Sequence, residues 1–362
     1  FNKSKLEYTI AKTADQGASC LRQVRRSKGK PIDSYFSAVK FDHEMICRLH
    51  RPKQKELGNV PKTRVAYLFS LYGGSIFDET GMCPICAALM SLFCIGTYGL
   101  PVILMYTKDV PVWELQVLAS VFPRVRLRGV PDIPASAACV RSLPPGQERL
   151  KRVLMKLNYW NFTRHQQIMP MDTDILVINP LDRLLTHEHE APLAAVPLHP
   201  RKPLDNDEPW FGAHRPNFFT FNAGIMVVQP DKDRFARILS IIPQVKHCDK
   251  VVEQTLLFKL RETEFRHLIE LPVSYNCVSQ APEKCKEWDG LAVHIMHFAG
   301  EDYKPWRYGL KTQHAWHSSK AATGYISLWH YYHRRFMGML CPRSLGRLKR
   351  PLSPSRRSKP SP

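Results

Sequence analysis

Three observations predict an α/β fold, with a Rossmann-like, mainly parallel sheet flanked by helices. Short apolar runs alternate with longer helical patterns three times between residues 65 and 127, and such alternation places helices on the faces of a parallel sheet. The chain has 362 residues, 44% of them hydrophobic and 10% aromatic, which suffices for one substantial core. Two apolar runs also end directly in potential metal ligands, at Asp172 and at His297, as expected where ligands bind at the carboxyl ends of sheet strands.

Residues 1–63 form a polar, basic, weakly periodic flank with no assigned function. A strand is expected over residues 65–71, a turn at Tyr72-Gly73-Gly74, and then a helix over about 85–97, a strand at 102–106, a helix over about 112–121 and a strand at 125–127. The apolar stretch 83–106 resembles a membrane span in hydropathy alone. Pro84, Gly96, Gly99 and Pro101 break it into helix, turn and strand.

Residues 131–145 read as a loop bearing Pro and Ser. A helix over about 147–160 follows, with Leu150, Val153, Leu154 and Leu157 on one stripe and Lys156 off it. The next apolar run delivers Asp172-Thr-Asp174, and a second apolar run leads to Pro180. A short helix at 181–185 precedes a Pro-rich loop at 192–210, and residues 218–228 read as two strands broken at Asn222-Ala-Gly224. Asp231 caps a helix. Glu253 and Gln254 lie on another, a strand covers 268–273, Tyr275-Asn276 is a turn, and a strand ends at His297. An aromatic helix spans 325–336. The domain expected over 64–340 is followed by a disordered Ser/Pro/Arg tail over 341–362.

Net charge is +20, but the flanks hold most of it: residues 1–64 carry 15 Lys and Arg against 6 Asp and Glu, and residues 342–362 carry 7 against none. The remaining core is nearly neutral, so no specific nucleic-acid binding is expected of it. The flanks suit solvation, or contact with a polyanion or an acidic membrane surface. Ten scattered cysteines favour free thiols in a reducing compartment. Cys83-Pro-Ile-Cys86 has thioredoxin-like spacing, and no second pair completes a zinc site.

Aspartates at i and i+2 can share one hard cation through their oxygens. The chain has two other such triplets, at 205–207 and at 231–233, but only Asp172 and Asp174 end a buried run. His297 offers a third ligand. After it, Gly300 permits close approach of a phosphate and Lys304 supplies a positive charge.

In order, the blocks Lys156-Leu-Asn-Tyr-Trp160, Met171-Asp172-Thr-Asp174-Ile-Leu-Val, Phe221-Asn222-Ala-Gly224-Ile-Met-Val, Glu253-Gln254 and His297-Phe-Ala-Gly300 with Lys304-Pro-Trp306 resemble the family 8 glycosyltransferases. That group holds glycogenin, galactinol synthase and plant glucuronosyltransferases, and the resemblance spans roughly residues 64–336. It implies an A-type nucleotide-diphospho-sugar transferase fold, a UDP-sugar donor, Mn2+ as cofactor, and transfer of a hexosyl or glucuronosyl unit with retention. The acceptor is a hydroxyl of a carbohydrate, polyol, lipid or protein, the compartment cytoplasm or Golgi lumen, and a homodimer is compatible.

Carried over residue by residue, the resemblance implies metal ligation by Asp172, Asp174 and His297. Lys304 and Gly300 face the diphosphate, Asn222 faces the donor sugar, and Lys156 and Asp172 lie near the donor. Glu253 or Gln254 positions the acceptor or shields a cationic transition state. Tyr72 is the candidate for stacking on the base. Pro170 departs from the family's usual aromatic and removes a strand donor. Glu283 stands eight residues after Tyr275, where glycogenin has its self-glucosylated tyrosine, so self-priming is not expected there. Three rival functions remain: a thiol redox protein, a polyanion-binding module and an inactive transferase-like scaffold.

Overall fold

A computed structural model describes residues 61–77, 82–95, 99–143, 148–189, 191–197, 221–246, 252–260, 263–266, 268–278, 293–300, 304–307 and 320–340. Residues 1–60, the tail, Glu283 and the triplet at 205–207 lie outside these. The strands are β1 Val65–Leu71, β2 Val102–Tyr106, β3 Val125–Gly129, β4 Gln167–Met171, β5 Ile175–Val177, β6 Leu193–Pro197, β7 Phe221–Val228, β8 Ile269–Glu270, β9 Cys277–Val278 and β10 Ile295–His297. The α-helices are α1 Pro84–Ile95, α2 Val112–Val121, α3 Ala137–Ser142, α4 Asp182–Thr186, α5 Lys232–Ile241, α6 Val252–Lys259 and α7 Lys320–Leu340. No described helix is long and apolar enough to cross a membrane.

The expected α/β class is observed. The main sheet has the order β3-β2-β1-β4-β7-β6-β8, and a small sheet has the order β5-β10-β9. β3, β2, β1 and β4 run parallel, while β7 is antiparallel to both its neighbours. β1 lies inside the sheet between β2 and β4 and is buried along its whole length. Because side chains alternate across a strand, Tyr67 and Phe69 join one core with α1, α2 and α7, and Ala66 and Leu68 join a second core with α5 and α6. Burial on both faces explains why this strand reads as an unbroken apolar run. On the first face, the rings of Phe93, Phe122 and Phe336 stack at centroid distances of 5.7 and 5.9 Å, tying α7 to α1.

Several sequence expectations are corrected. The segment expected as an α-helix over 147–160 is a 3-10 helix, Glu148–Asn161. Its side chains from Val153 to Trp160 are all buried, Lys156 included. It therefore threads the interior, and the single-stripe reading fails. The Pro-rich loop at 192–210 contains β6, and the loop at 131–145 contains α3, whose cap Ser136 accepts from Cys139 N. The strand expected over 268–273 shortens to β8, and Asn276 closes a 3-10 turn. β7 is one strand rather than two, with a register shift opposite Ala195 and Val196 that moves the pairing from Met226 to Asn222. The expected break at Asn222-Ala-Gly224 is thus a bulge.

Pro170 is accommodated. It lies opposite Leu68 of β1, and the bridges Ile168 to Val228 and Met171 to Ile225 flank it on the β7 side. The free-thiol expectation also fails. Cys83 and Cys86 are joined, Cys94, Cys139 and Cys277 are disulfide-bonded, and no described cysteine is free. Cys83 and Cys86 are fully buried at the start of α1, where Cys83 N donates to Nε2 of the buried His333 at 3.0 Å.

One buried carboxyl ties sheet to helix. Asp182, 1% exposed at the start of α4, accepts from the Tyr67 hydroxyl through Oδ1, while Oδ2 has no hydrogen-bond partner among the described residues. Burial pushes its pKa up from 3.8 to about 7. The folded state then holds a proton that the unfolded chain releases near 3.8, so this contribution to stability is lost as pH rises through about 7. Asp182→Asn keeps an acceptor for Tyr67 and has no charge to bury. Its advantage over the native chain should widen from pH 4 to pH 7 by up to about 4 kcal/mol and level off above. Thermal melts of both proteins at pH 4 to 8 measure it, and parallel curves would contradict the assignment.

Candidate active site and metal centre

The site forms where β4 ends beside β7 and β10. Asp172 N donates to Gly224 O of β7 at 2.8 Å, and Phe298 N, just after β10, donates to Asp174 O at 2.9 Å. Both aspartates are thereby pinned through their backbones, and their carboxylates emerge at the strand end the sequence assigned them. β10 pairs antiparallel with β5, setting His297 opposite Ile175. His297 Nε2 lies 3.4 Å from Asp174 Oδ1 and 3.8 Å from Asp172 Oδ2. One ligand atom from each of these three residues falls within 4.8 Å of the others.

Two half-buried carboxylates so close repel one another by about 3 kcal/mol at an effective dielectric constant of ~20. Two lysines offset this. Lys156 Nζ reaches Asp172 Oδ1 at 2.6 Å and Glu253 Oε1 at 3.1 Å. Lys304 Nζ contacts Asp174 Oδ2 and donates to Phe298 O at 2.7 Å. Burial alone would lower the Lys156 pKa, but Asp172, Tyr72 and Glu253 outweigh it and hold the ammonium well above its usual value. Burial likewise would raise Asp174, and Lys304 and His297 instead hold it well below the usual carboxylate range. Glu253 goes the other way, since burial raises it despite the Lys156 charge.

A relay of amides fixes the imidazole. Asn222 Oδ1 accepts from Gly224 N at 2.8 Å, so the Asn222 amide is oriented by the backbone. Asn276 Nδ2 donates to that same oxygen at 2.9 Å, which turns Asn276 Oδ1 toward His297 Nδ1, 2.8 Å away. Nδ1 must then carry a proton, and Nε2 faces the carboxylates. Gly224 is required by the same packing. A Cβ there would stand 2.3 Å from His297 Cε1 and 2.8 Å from Asn222 Oδ1, closer than real contacts.

The sequence-predicted residues occupy distinct places. Asp172, Asp174, His297, Lys156, Lys304, Glu253 and Asn222 converge. Gln254 Oε1 accepts from Ala223 N at 3.0 Å and so supports β7 directly beside Asn222. Tyr72 is half-buried against the second core and acts electrostatically on Lys156. Gly300 is exposed with φ 80°, in the left-handed region that favours glycine.

Sequence reasoning missed Asn276 and Glu114. Asn276 read as a turn former; a polar residue between Tyr275 and Cys277 in an apolar setting was the available signal. Glu114, 1% exposed, holds the loop that follows Tyr72 by accepting from Ser75 Oγ at 2.7 Å and Ile76 N at 2.6 Å. The Lys304 loop is supported from behind by α7. His330 Nε2 bonds Pro305 O at 3.1 Å, and Trp306 packs on Trp329 at 5.4 Å between centroids.

An acidic pair, a histidine and two lysines gather at the carboxyl end of a parallel strand. The model of glycosyl transferase family 8 matches residues 140–309 of the chain. Galactinol synthase 1 of Solanum lycopersicum is 27% identical over 169 residues, 44% of this chain and 50% of the relative, so the match spans half of that protein's length. Among solved structures, the galactosyltransferase LgtC in complex with donor and acceptor sugar analogues is 13% identical over 72% of this chain and 95% of that chain, with a TM-score of 0.48. Mouse xyloside xylosyltransferase 1 is 11% identical over 67% of this chain and 98% of that chain, with a TM-score of 0.42.

The relay makes a prediction about protons. Long-range 1H–15N spectra of the metal-free chain at neutral pH should show His297 with its proton on Nδ1, and Asn276→Ala should shift it toward a mixture of tautomers. A native His297 protonated on Nε2 alone would break the relay.

Proposed function

We propose that this domain is a metal-dependent retaining glycosyltransferase that moves a hexosyl or glucuronosyl unit from a UDP-sugar to an acceptor hydroxyl. The observation that carries the reading is the gathering of Asp172, Asp174 and His297 within 4.8 Å, with a lysine on each carboxylate. Two carboxylate oxygens and an imidazole nitrogen are a donor set that suits Mn2+, and His297 Nε2 is already turned toward the carboxylates. When bound, the metal supplies Lewis-acid charge at the diphosphate of the donor.

The chain's own residues do the rest. Lys304 meets the negative charge that develops on the departing diphosphate. Lys156 holds Asp172 in place and, through Glu253, ties the end of β4 to α6. Asn222 has committed its oxygen to Gly224 and Asn276, leaving Nδ2 to donate to a sugar hydroxyl. Gln254 has committed Oε1 to the backbone of β7, leaving Nε2 for the same pocket. Retention is supported by the family resemblance, with the departing phosphate taking the acceptor proton. The basic flanks and dimerisation are not needed for this chemistry.

Isothermal titration of UDP tests the reading. Binding to the intact chain should strengthen at least tenfold on adding Mn2+, and Asp172→Ala should abolish that gain; binding indifferent to metal would refute the assignment. Independently, Gly224→Ala should push His297 off its seat and weaken Mn2+ binding by roughly 10–100-fold, read from the free-ion EPR signal. Unchanged Mn2+ affinity in a folded variant would mean that His297 is not a ligand.

A further inference from the structure

The described asparagines differ in what their amides do. Asn158, 1% exposed, donates to Pro131 O at 3.1 Å and Met155 O at 2.8 Å. Asn179 donates to Val293 O at 2.6 Å, and Asn222 and Asn276 belong to the relay. Asn161 alone is exposed, and among the described residues its side chain makes no hydrogen bond. It is also the described asparagine that begins an Asn-x-Thr triplet, Asn161-Phe162-Thr163.

The local backbone displays that triplet. Asn161 ends the 3-10 helix, and a turn closed by His165 N donating to Phe162 O at 2.9 Å lifts Thr163 into solvent. Phe162 remains half-buried against the second core and anchors the turn. The place is favourable for a bulky substituent. Asn161 precedes β4, whereas the carboxylates follow it, and five residues of strand at ~3.3 Å each set these ends roughly 16 Å apart. A group on Asn161 leaves the opposite end of the sheet, away from Asp172.

The cysteines bear on the compartment independently. Cys83, Cys86, Cys94, Cys139 and Cys277 are all disulfide-bonded and no described cysteine is a free thiol, a pattern formed and kept in oxidising compartments. Those are where Asn-x-Thr triplets are modified.

From the exposed triplet and the paired cysteines we infer that Asn161 carries an N-linked oligosaccharide, added in an oxidising secretory compartment. The modification joins Asn161 Nδ2 to the anomeric carbon of an oligosaccharide, supplied as its polyprenyl-diphosphate conjugate and transferred by an oligosaccharyl-transferring enzyme. The bond from that carbon to the phosphate oxygen breaks, the diphosphate leaves with the electron pair, and the amide gives up one proton. Thr163 supplies the hydroxyl that the triplet requires. This site is distinct from the sugar-transfer centre and stands whether or not that centre is active.

The full-length protein isolated from its source cells is digested, treated with peptide-N-glycosidase in heavy-oxygen water and read by mass spectrometry. Asn161 should return as heavy-oxygen-labelled aspartate; the sequence's other triplet, Asn2-Lys3-Ser4, falls on a separate peptide. In secreted expression behind an added leader, Asn161→Gln and Thr163→Ala should each remove the label and one step of glycosidase-sensitive gel mobility. Thr163→Ser should keep both, which a merely structural role for Thr163 does not predict. UDP binding by Asn161→Gln should equal that of the native chain. An unlabelled Asn161 peptide from the source cells, or free Cys83 and Cys86 thiols on alkylation before reduction, would overturn the proposal.

Discussion

Two carboxylates forced together at the end of a central strand are the constraint around which this domain is built. Asp172 and Asp174 are fixed through their own backbones, to β7 and to the segment after β10, so they cannot separate to relieve their repulsion. Compensation has to come from elsewhere in the chain. Lys156 arrives on the buried 3-10 helix, Lys304 on the loop braced by α7, and His297 on β10. A buried lysine such as Lys156 is costly by itself. It is tolerated because two carboxylates, Asp172 and Glu253, hold its charge.

That arrangement also explains why small and amide residues cluster where a catalytic reading looks first for acids and bases. Gly224 has room only for a hydrogen because His297 lies against it. Asn222 and Asn276 can each donate and accept, so they pass a fixed orientation from the β7 backbone to the imidazole with no titrating group between. A carboxylate in place of Asn276 would add to the three carboxyl groups, Asp172, Asp174 and Glu253, that already share two lysines. The bulge in β7 is the geometric counterpart of this relay, since it frees the strand from regular pairing with β6 where Gly224 must meet His297.

The fold was legible wherever burial made the sequence monotonous. β1, β2 and α2 have their expected bounds because each is a continuous apolar or periodic run between Gly or Pro punctuation. β6 was hidden because Pro192 and Pro197 bracket Leu193-Ala-Ala-Val and turned a strand into a loop on paper. Lys156 was placed off an apolar stripe by counting 3.6 residues per turn, and a 3-10 helix buried on all sides has no such stripe. Among the site residues, Asp172, Asp174 and His297 announce themselves by ending apolar runs. Asn276 does not, because its partners lie 54 and 21 residues away in sequence. The cysteines misled for the same reason: pairing depends on spatial distance, and scattered positions in a long chain conceal it.

The two lysines divide the electrostatic work unequally. Lys156 is held by two carboxylates and sits among buried side chains on a helix that cannot shift without disturbing the second core. It is a permanent part of the site, and its charge is present whatever is bound. Lys304 has one carboxylate and one carbonyl as partners, and its ammonium also lies 5.6 Å from the Trp306 ring. Its loop is fixed at Pro305 and Trp306 by α7, which leaves the side chain the mobile part of an anchored segment. A cation taken up between Asp172, Asp174 and His297 would compete with Lys304 for Asp174, since both satisfy the same oxygen charge. The lysine so released is already positioned beside the metal centre, where the proposed donor's diphosphate would lie. Asp174 would then be the partner shared by Lys304 and a bound cation, while Lys156 stays fixed on Asp172 and Glu253.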